Sequence, residues 1–293
     1  MDGVIVVDKP EGWTSHDVVG KMRRLAGTKR IGHLGTLDPM ATGVLPLVVE
    51  RATRLAQFFV KNDKRYEAVI RFGYSTDSYD REGTPTSPAV DVDLKREDVE
   101  RALEDFRGTL LQMPPPISAK KIGGVPAYKL ARRNLPVELK AVEVSIFGLE
   151  LVECGSCEIR VRVHCSAGTY LRSLAHDLGQ KLGCGAFVQE LRRTSSGDFQ
   201  IEQARTVPEL EELSKEGRIA EAVIPASKLL PEIPGEVVDA LTVRQIRQGR
   251  DFRVSPFRVQ RGAKYVKAIS PEGDLVAMGE VKMPNLYHPI LVL

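Results

Sequence analysis

Residues 66–72 of this chain alternate in character along an extended backbone. Tyr66, Ala68, Ile70 and Phe72 fall on one side, and Glu67, Val69 and Arg71 on the other. Residues 159–165 repeat the pattern, with Ile159, Val161, Val163 and Cys165 against Arg160, Arg162 and His164. A period of two belongs to strands with one face against a core. The chain must therefore build a sheet with a covered face, and Tyr66 lies on that face. Further strands are expected at 4–7, 45–49 and 144–152. Helices are expected from Ser15, read as a cap ahead of Val18, Val19, Met22 and Leu25, and at 52–60, 95–106, 168–182, 207–215 and 219–229. No βαβ rhythm and no internal repeat connects these elements, which points to an α+β fold.

At 293 residues and 42% hydrophobic content the chain can bury one large and one small core. Pro231, Pro234 and Gly235 mark the expected boundary, giving domains at 1–232 and 237–293. Beyond it Arg244, Arg247, Arg250, Arg253, Arg258, Arg261, Lys264 and Lys267 meet only Asp251, and strands at 265–269 and 275–282 suggest a small all-β module. The overall net charge of +3 permits a nucleic-acid partner without demanding one. No apolar run approaches the roughly 18 to 20 residues of a membrane helix, and the N-terminus lacks signal-peptide features, so no membrane association and a cytoplasmic location are expected. The four cysteines are expected to be free thiols. Cys154 and Cys157 lack two further ligands at metal-site spacing, so no metal is expected and residues 155–156 read as a turn between strands.

Gly27 to Pro46 is dense in Gly, Thr and Pro, a loop between rigid elements. Within it, Pro39 biases Asp38 away from helical geometry, and Gly35 and Gly43 let the backbone pass close to a ligand. An acid can be presented there at the tip of a stiff turn. Taken alone, Asp38-Pro39 reads more readily as a plain turn. Arg172 follows Gly168 by four residues and projects from the start of a helix, where it could hold a carboxylate bidentately and keep it ionised, or simply lie in solvent. Residues 111–139 form a long, irregular, basic segment with Pro114-Pro115-Pro116, Lys120-Lys121 and Gly123-Gly124.

The segment Gly32-His33-Leu34-Gly35-Thr36-Leu37-Asp38-Pro39-Met40-Ala41-Thr42-Gly43-Val44-Leu45-Pro46 resembles the catalytic motif of the TruB family of tRNA pseudouridine synthases. Four further segments resemble that family in order: Lys9 to Val19, Lys64 to Gly83, Gln112 to Gly124 and Leu191 to Phe199. The resemblance implies a pseudouridine synthase catalytic domain on a mixed antiparallel sheet, with an RNA-gripping insertion at about 111–139 and a PUA-like RNA-binding domain at the end. It implies isomerisation of uridine 55 in the tRNA T-loop. It assigns Asp38 as nucleophile, Tyr66 to stack on the target base, Arg172 to pair with the catalytic carboxylate and Asp80 to join that network. His33 would fill space left in the T-loop, Leu191 would pack under the nucleotide, and Lys9 with Pro10 would support the substrate-binding loops. The expected partner is tRNA, at its T-arm and acceptor end, and no protein partner is implied.

Moving a uracil from an N-glycosidic to a carbon–carbon bond needs a nucleophile and a closed pocket but no redox group, so no cofactor is expected. Attack at C1′ of the ribose and attack at C6 of the base both use an ionised carboxylate and an unstacked base. Two rival readings are a non-catalytic RNA-binding or tRNA-folding protein, for which the basic segments suffice, and a guide-RNA-dependent relative sharing Thr36-Leu37-Asp38.

Overall fold

The computed structural model describes residues 1–117, 139–255 and 263–293, with the backbone of Lys121–Ile122 and Val125–Pro126. Most of the segment expected to grip RNA, and Arg258 and Arg261, lie outside the described residues. The larger unit contains β1 (Gly3–Lys9), α1 (Ser15–Leu25), β2 (Ile31–His33), β3 (Thr42–Val49), β4 (Lys64–Phe72), α2 (Arg96–Glu104), β5 (Gly108–Gln112), β6 (Val142–Cys154), β7 (Glu158–Cys165), α3 (Leu171–Lys181), β8 (Ala186–Ser196) and α4 (Val207–Lys215).

These strands form one mixed sheet whose path runs from Arg205–Thr206 through β1, β3, β8, β4, β7 and β6 to β5, with β2 beside β3. Pairing is antiparallel except between β8 and β3 and between β1 and Arg205–Thr206. The α+β reading holds. The alternation in β4 and β7 reports the covered face faithfully: Ala68, Ile70, Phe72, Val161 and Val163 share a core with Val18 and Met22 of α1 and Leu171, Leu174 and Leu178 of α3. Cys154 and Cys157 flank the β6–β7 turn as expected, closed by Gly155 N donating to Glu158 O at 2.8 Å, and all four cysteines are free.

Several local expectations fail for identifiable reasons. Thr14, rather than Ser15, caps α1: its hydroxyl accepts from Asp17 N at 3.1 Å, and the Asp17 carboxylate accepts from Thr14 N at 2.8 Å. Residues 52–60 are a 3₁₀ segment, Glu50–Leu55, followed by a single turn, Ala56–Phe59. The helix expected at 219–229 is broken by Val223–Pro225, which pairs with the free edge of β1, between two 3₁₀ turns. Backbone donors and acceptors on an open edge strand outweighed a short helical pattern interrupted by proline.

Past Pro234 a second sheet forms from β9 (Gly235–Val237), β10 (Phe252–Arg253), β11 (Tyr265–Ile269), β12 (Leu275–Met283) and β13 (Leu286–Val292), ordered β9-β11-β12-β13-β10. The module is not purely β. Asp239 accepts from Thr242 N at 2.7 Å and starts helix α5 (Ala240–Arg247), which buries Val243 and Ile246. Nor is it separate from the larger unit. Leu275, Met278, Leu291 and Leu293 share a hydrophobic cluster with Val4, Val6, Val44, Val48 and Phe59. Each such side chain contributes roughly 1.5–3 kcal/mol when withdrawn from water. The expected boundary marks a change of sheet, while apolar packing continues across it.

Candidate active site

The Asp38 turn is held from every side by buried groups. Ala41 N donates to Asp38 O at 3.1 Å, closing a turn with Pro39 in its second position. Lys9, fully buried, extends from the end of β1 and donates to the carbonyls of Pro10 at 2.8 Å, Trp13 at 2.6 Å and Pro39 at 3.0 Å. These three bonds use every N–H of its ammonium. Burial lowers the Lys9 pKa to about 8. Ser15, released from capping, is buried and bonds Leu37 in both directions, accepting from its N at 2.9 Å and donating to its O at 3.2 Å.

Arg193 completes the frame from β8. Its side chain is buried, and its guanidinium donates to Val44 O at 2.7 Å, Gly35 O at 3.2 Å and Thr36 O at 3.4 Å. Gly43 has a φ of +100°, and a Cβ there would sit 2.2 Å from Arg193 O. That glycine serves the parallel contact between β3 and β8 rather than the approach of a ligand. Sequence reasoning gave Arg193 no role. The signal was available, because a residue two positions after Leu191 on a strand shares its face.

Arg172 approaches from the first turn of α3. Its Nη2 donates to Asp38 Oδ1 at 3.0 Å and its Nε lies 2.9 Å from Oδ2, a two-pronged ion pair. Nη1 donates to Ser78 O at 2.9 Å and Ile117 O at 3.0 Å and lies 3.4 Å from Asp80 Oδ2. A cation is disfavoured at a helix N-terminus by the helix dipole, and two carboxylates offset this. Asp80 is itself buried and fixed by Ser78 Oγ at 2.6 Å and Glu82 N at 3.1 Å.

Removal from bulk water raises the Asp38 carboxyl above its ordinary range; Arg172 pulls it back and the like charge of Asp80 pushes it up again. This reverses the expectation that arginine would dominate. About a third of the Asp38 side chain stays exposed at 33%, so water in the open cleft moderates the rise, and a bound base would strengthen it.

Asp38, Arg172, Tyr66, Leu191 and His33 line one cleft of about 500 Å³, together with Lys64 and Arg193. Tyr66 and Leu191 come from neighbouring strands, where Leu191 pairs with Ala68 and Arg193 with Tyr66. Burial raises the Tyr66 pKa and the Arg193 guanidinium beside its hydroxyl opposes the rise, so the ring is neutral. Burial and the nearby His16 lower the His33 pKa; the two imidazoles meet edge-on at 5.7 Å. Lys64, also buried, has its pKa lowered to about 8 by burial and by Arg193. Lys9, Pro10 and Asp80 do not line the cleft. Lys9 instead meets the Asp38 turn through the Pro39 carbonyl, and Asp80 meets Arg172. Among the described residues, no group of three or more His, Cys, Asp or Glu side chains is placed to hold a metal ion, and no helix is long and apolar enough to cross a membrane.

Comparison with known proteins agrees with this architecture. Residues 23–171 match the N-terminal domain of the TruB family of pseudouridylate synthases, and residues 172–231 match a tRNA pseudouridylate synthase B C-terminal domain. The junction between those matches falls at the start of α3, inside the continuous sheet, and both precede the second sheet. The chain is 61% identical to tRNA pseudouridine synthase B of Solibacter usitatus (strain Ellin6076), over 100% of both chains. It is 40% identical to the protein of that name from Dechloromonas aromatica (strain RCB), over 99% of this chain and 94% of the other. Among solved structures it resembles a chain of an H/ACA RNP bound to a substrate RNA containing 2′-deoxyuridine, with a TM-score of 0.71 and 25% identity over 99% of this chain and 84% of that one. A family model spanning half of the chain and full-length relatives well above 30% identity lead to one conclusion: the chain belongs to the TruB family of pseudouridylate synthases.

Proposed function

We propose that this enzyme converts uridine 55 in the T-loop of tRNA to pseudouridine with Asp38 as the nucleophile. The observation that carries this reading is the Asp38 carboxylate, gripped from two sides by a buried arginine yet open to a cleft of nucleoside size. An ionised carboxylate so oriented can attack the flipped nucleoside, and the carbon–oxygen bond it forms breaks again to free Asp38; overall the C1′–N1 bond breaks, a C1′–C5 bond forms, and C5 gives up its proton while N1 gains one. The product is an isomer, so no oxidant or reductant enters. Tyr66 supplies a neutral aromatic face for the base, worth roughly 1–3 kcal/mol of stacking, which offsets the cost of unstacking. Leu191 closes the apolar side, and His33, neutral and lining the cleft, fills space in the T-loop. Lys9, with Pro10 as one of its carbonyl partners, supports the loops that meet substrate, and Asp80 completes the charge balance around Arg172.

The second sheet serves as a PUA-like module for the acceptor end. Arg244, Arg247, Arg250 and Arg253 are exposed on it, as phosphate contacts require. Lys267 is not part of that surface: it is buried and bonded to three carbonyls. The full-length resemblance to proteins named tRNA pseudouridine synthase B, at 61% and 40% identity, favours action without a guide RNA over the guide-dependent alternative. The purified chain is expected to form pseudouridine at position 55 of an unmodified tRNA transcript, and none in a transcript with cytidine there. Binding without turnover would leave the RNA-binding alternative standing, and turnover only with added guide RNA would establish the other.

A further inference from the structure

The turn that carries Asp80 has an uncommon backbone. Tyr79 has a φ of +63°, in the left-handed region that bulky residues rarely occupy. Its ring lies flat on His176, with centroids 3.8 Å apart and planes 9° from parallel. The other aromatic pairs among the described residues are tilted or edge-on, at 4.8 Å or more. This parallel stack joins two elements that both touch Arg172. His176 stands four residues after Arg172 on α3, on the same helix face. Tyr79 sits between Ser78, whose carbonyl accepts from Arg172 Nη1, and Asp80, whose carboxylate lies 3.4 Å from the same nitrogen.

The turn is also tied to β8, with Val188 N donating to Tyr79 O and Arg81 N donating to Val188 O, each at 3.0 Å. Neither ring lines the cleft. His176 Nδ1 is buried and has no hydrogen-bond partner among the described residues. Burial lowers the His176 pKa, so the imidazole acts as a neutral flat surface rather than as a polar contact.

We infer that the Tyr79–His176 stack is a positioning device that locks the 78–80 turn onto α3, in the register where Arg172 grips Asp38 and Asp80 together. Once either ring is removed the turn loses this contact with α3, and the Ser78 carbonyl and the Asp80 carboxylate then leave Nη1. The inference rests on the proposed role of Asp38, so its test includes a readout independent of activity.

The variants are His176→Ala, which deletes the imidazole, His176→Phe, which keeps a flat ring, and Tyr79→Gly, which deletes the other ring while accepting the positive φ. Three quantities are read: single-turnover pseudouridine formation, tRNA Kd, and the Arg172 Nε–Hε resonance of the free protein, assigned by its loss in Arg172→Lys. His176→Ala is expected to slow the single turnover about 10- to 100-fold, the scale of a misplacement near 1 Å. Its tRNA Kd stays within about twofold, because affinity is spread over many phosphate contacts. The Arg172 resonance shifts or broadens. His176→Phe restores both rate and resonance, and Tyr79→Gly matches His176→Ala. Should His176→Ala fail to fold, Tyr79→Gly carries the same comparison. Wild-type rate with an unmoved Arg172 resonance in the ring-deleted variants overturns the inference, as does a Phe variant impaired as much as the Ala variant. A wild-type protein without turnover would instead defeat the proposed function, while the resonance still decides the positioning role.

Discussion

Lys9 and Lys267 solve the same local problem in two regions of the molecule. Each is buried, and each directs its ammonium to three backbone carbonyls: Pro10, Trp13 and Pro39 for one, Ser227, Leu229 and Leu230 for the other. Burial lowers the pKa of both. A desolvated ammonium is costly unless all its donors are satisfied, so each lysine fixes the backbone it touches. The difference lies in what is fixed. Lys9 holds the turn that presents Asp38, whereas Lys267 holds the connection into the second sheet. A chemically identical clamp therefore holds the turn of the proposed nucleophile in one region and the entry to the second sheet in the other, and residue type does not distinguish them.

The largest effect expected on the catalytic side comes from Asp38→Asn, which keeps the turn and removes the charge. Single-turnover pseudouridine formation should fall by about 10³ or more while tRNA Kd changes little. Retention of more than about a tenth of the rate would make Asp38 a turn residue only. The contrast between the two lysines is sharpened by Lys9→Met and Lys267→Met. Both leave buried carbonyls unpaired, at about 1–3 kcal/mol each, partly offset because the buried charge is gone. Thermal unfolding should register both substitutions. Single-turnover rate should drop about 10- to 100-fold for Lys9→Met and stay within about threefold for Lys267→Met, since only the first shifts the nucleophile. Equal rate losses would erase the distinction between a catalytic and an assembly clamp.

The pH dependence gives a smaller effect with a defined sign. As the proposed nucleophile Asp38 must be ionised, and burial with Asp80 raises its pKa. The single-turnover rate should therefore fall, as pH falls, at a higher pH than an ordinary aspartate would impose. Replacing Asp80 by Asn removes the like charge and should move that limb to lower pH. A limb that stays put or moves upward would show that Asp80 acts on Asp38 through Arg172 geometry alone.

The smallest effects belong to the second sheet. Removing residues 237–293 would expose Val4, Val6, Val44, Val48 and Phe59 beneath it, so excision would not report on RNA binding cleanly. Substitution of Arg244 and Arg247 by Gln leaves that packing alone. For each of these arginines that meets a phosphate, the substitution should lower the salt slope of tRNA binding by about one and leave single-turnover chemistry unchanged. An unaltered slope would remove these arginines from the RNA-facing surface.

Periodicity and motif order alone determined much of this protein. The alternation in residues 66–72 and 159–165 located the covered sheet face, and Asp38, Tyr66, Arg172, His33 and Leu191 converge on one cleft. The alternation is legible because strand periods depend on near neighbours in the chain, and the cleft residues because the resemblance to the TruB family singled them out. Only the tertiary structure decided the rest. Ser15 left its cap for Leu37, Gly43 made room for the backbone of Arg193, and Arg193 crossed from β8 to hold Gly35 and Thr36. The upward shift of Asp38 and the burial of Lys267 belong to the same class. In each case the partner lies far away in the chain, and the outcome is set by desolvation and close approach between segments, which no local pattern records.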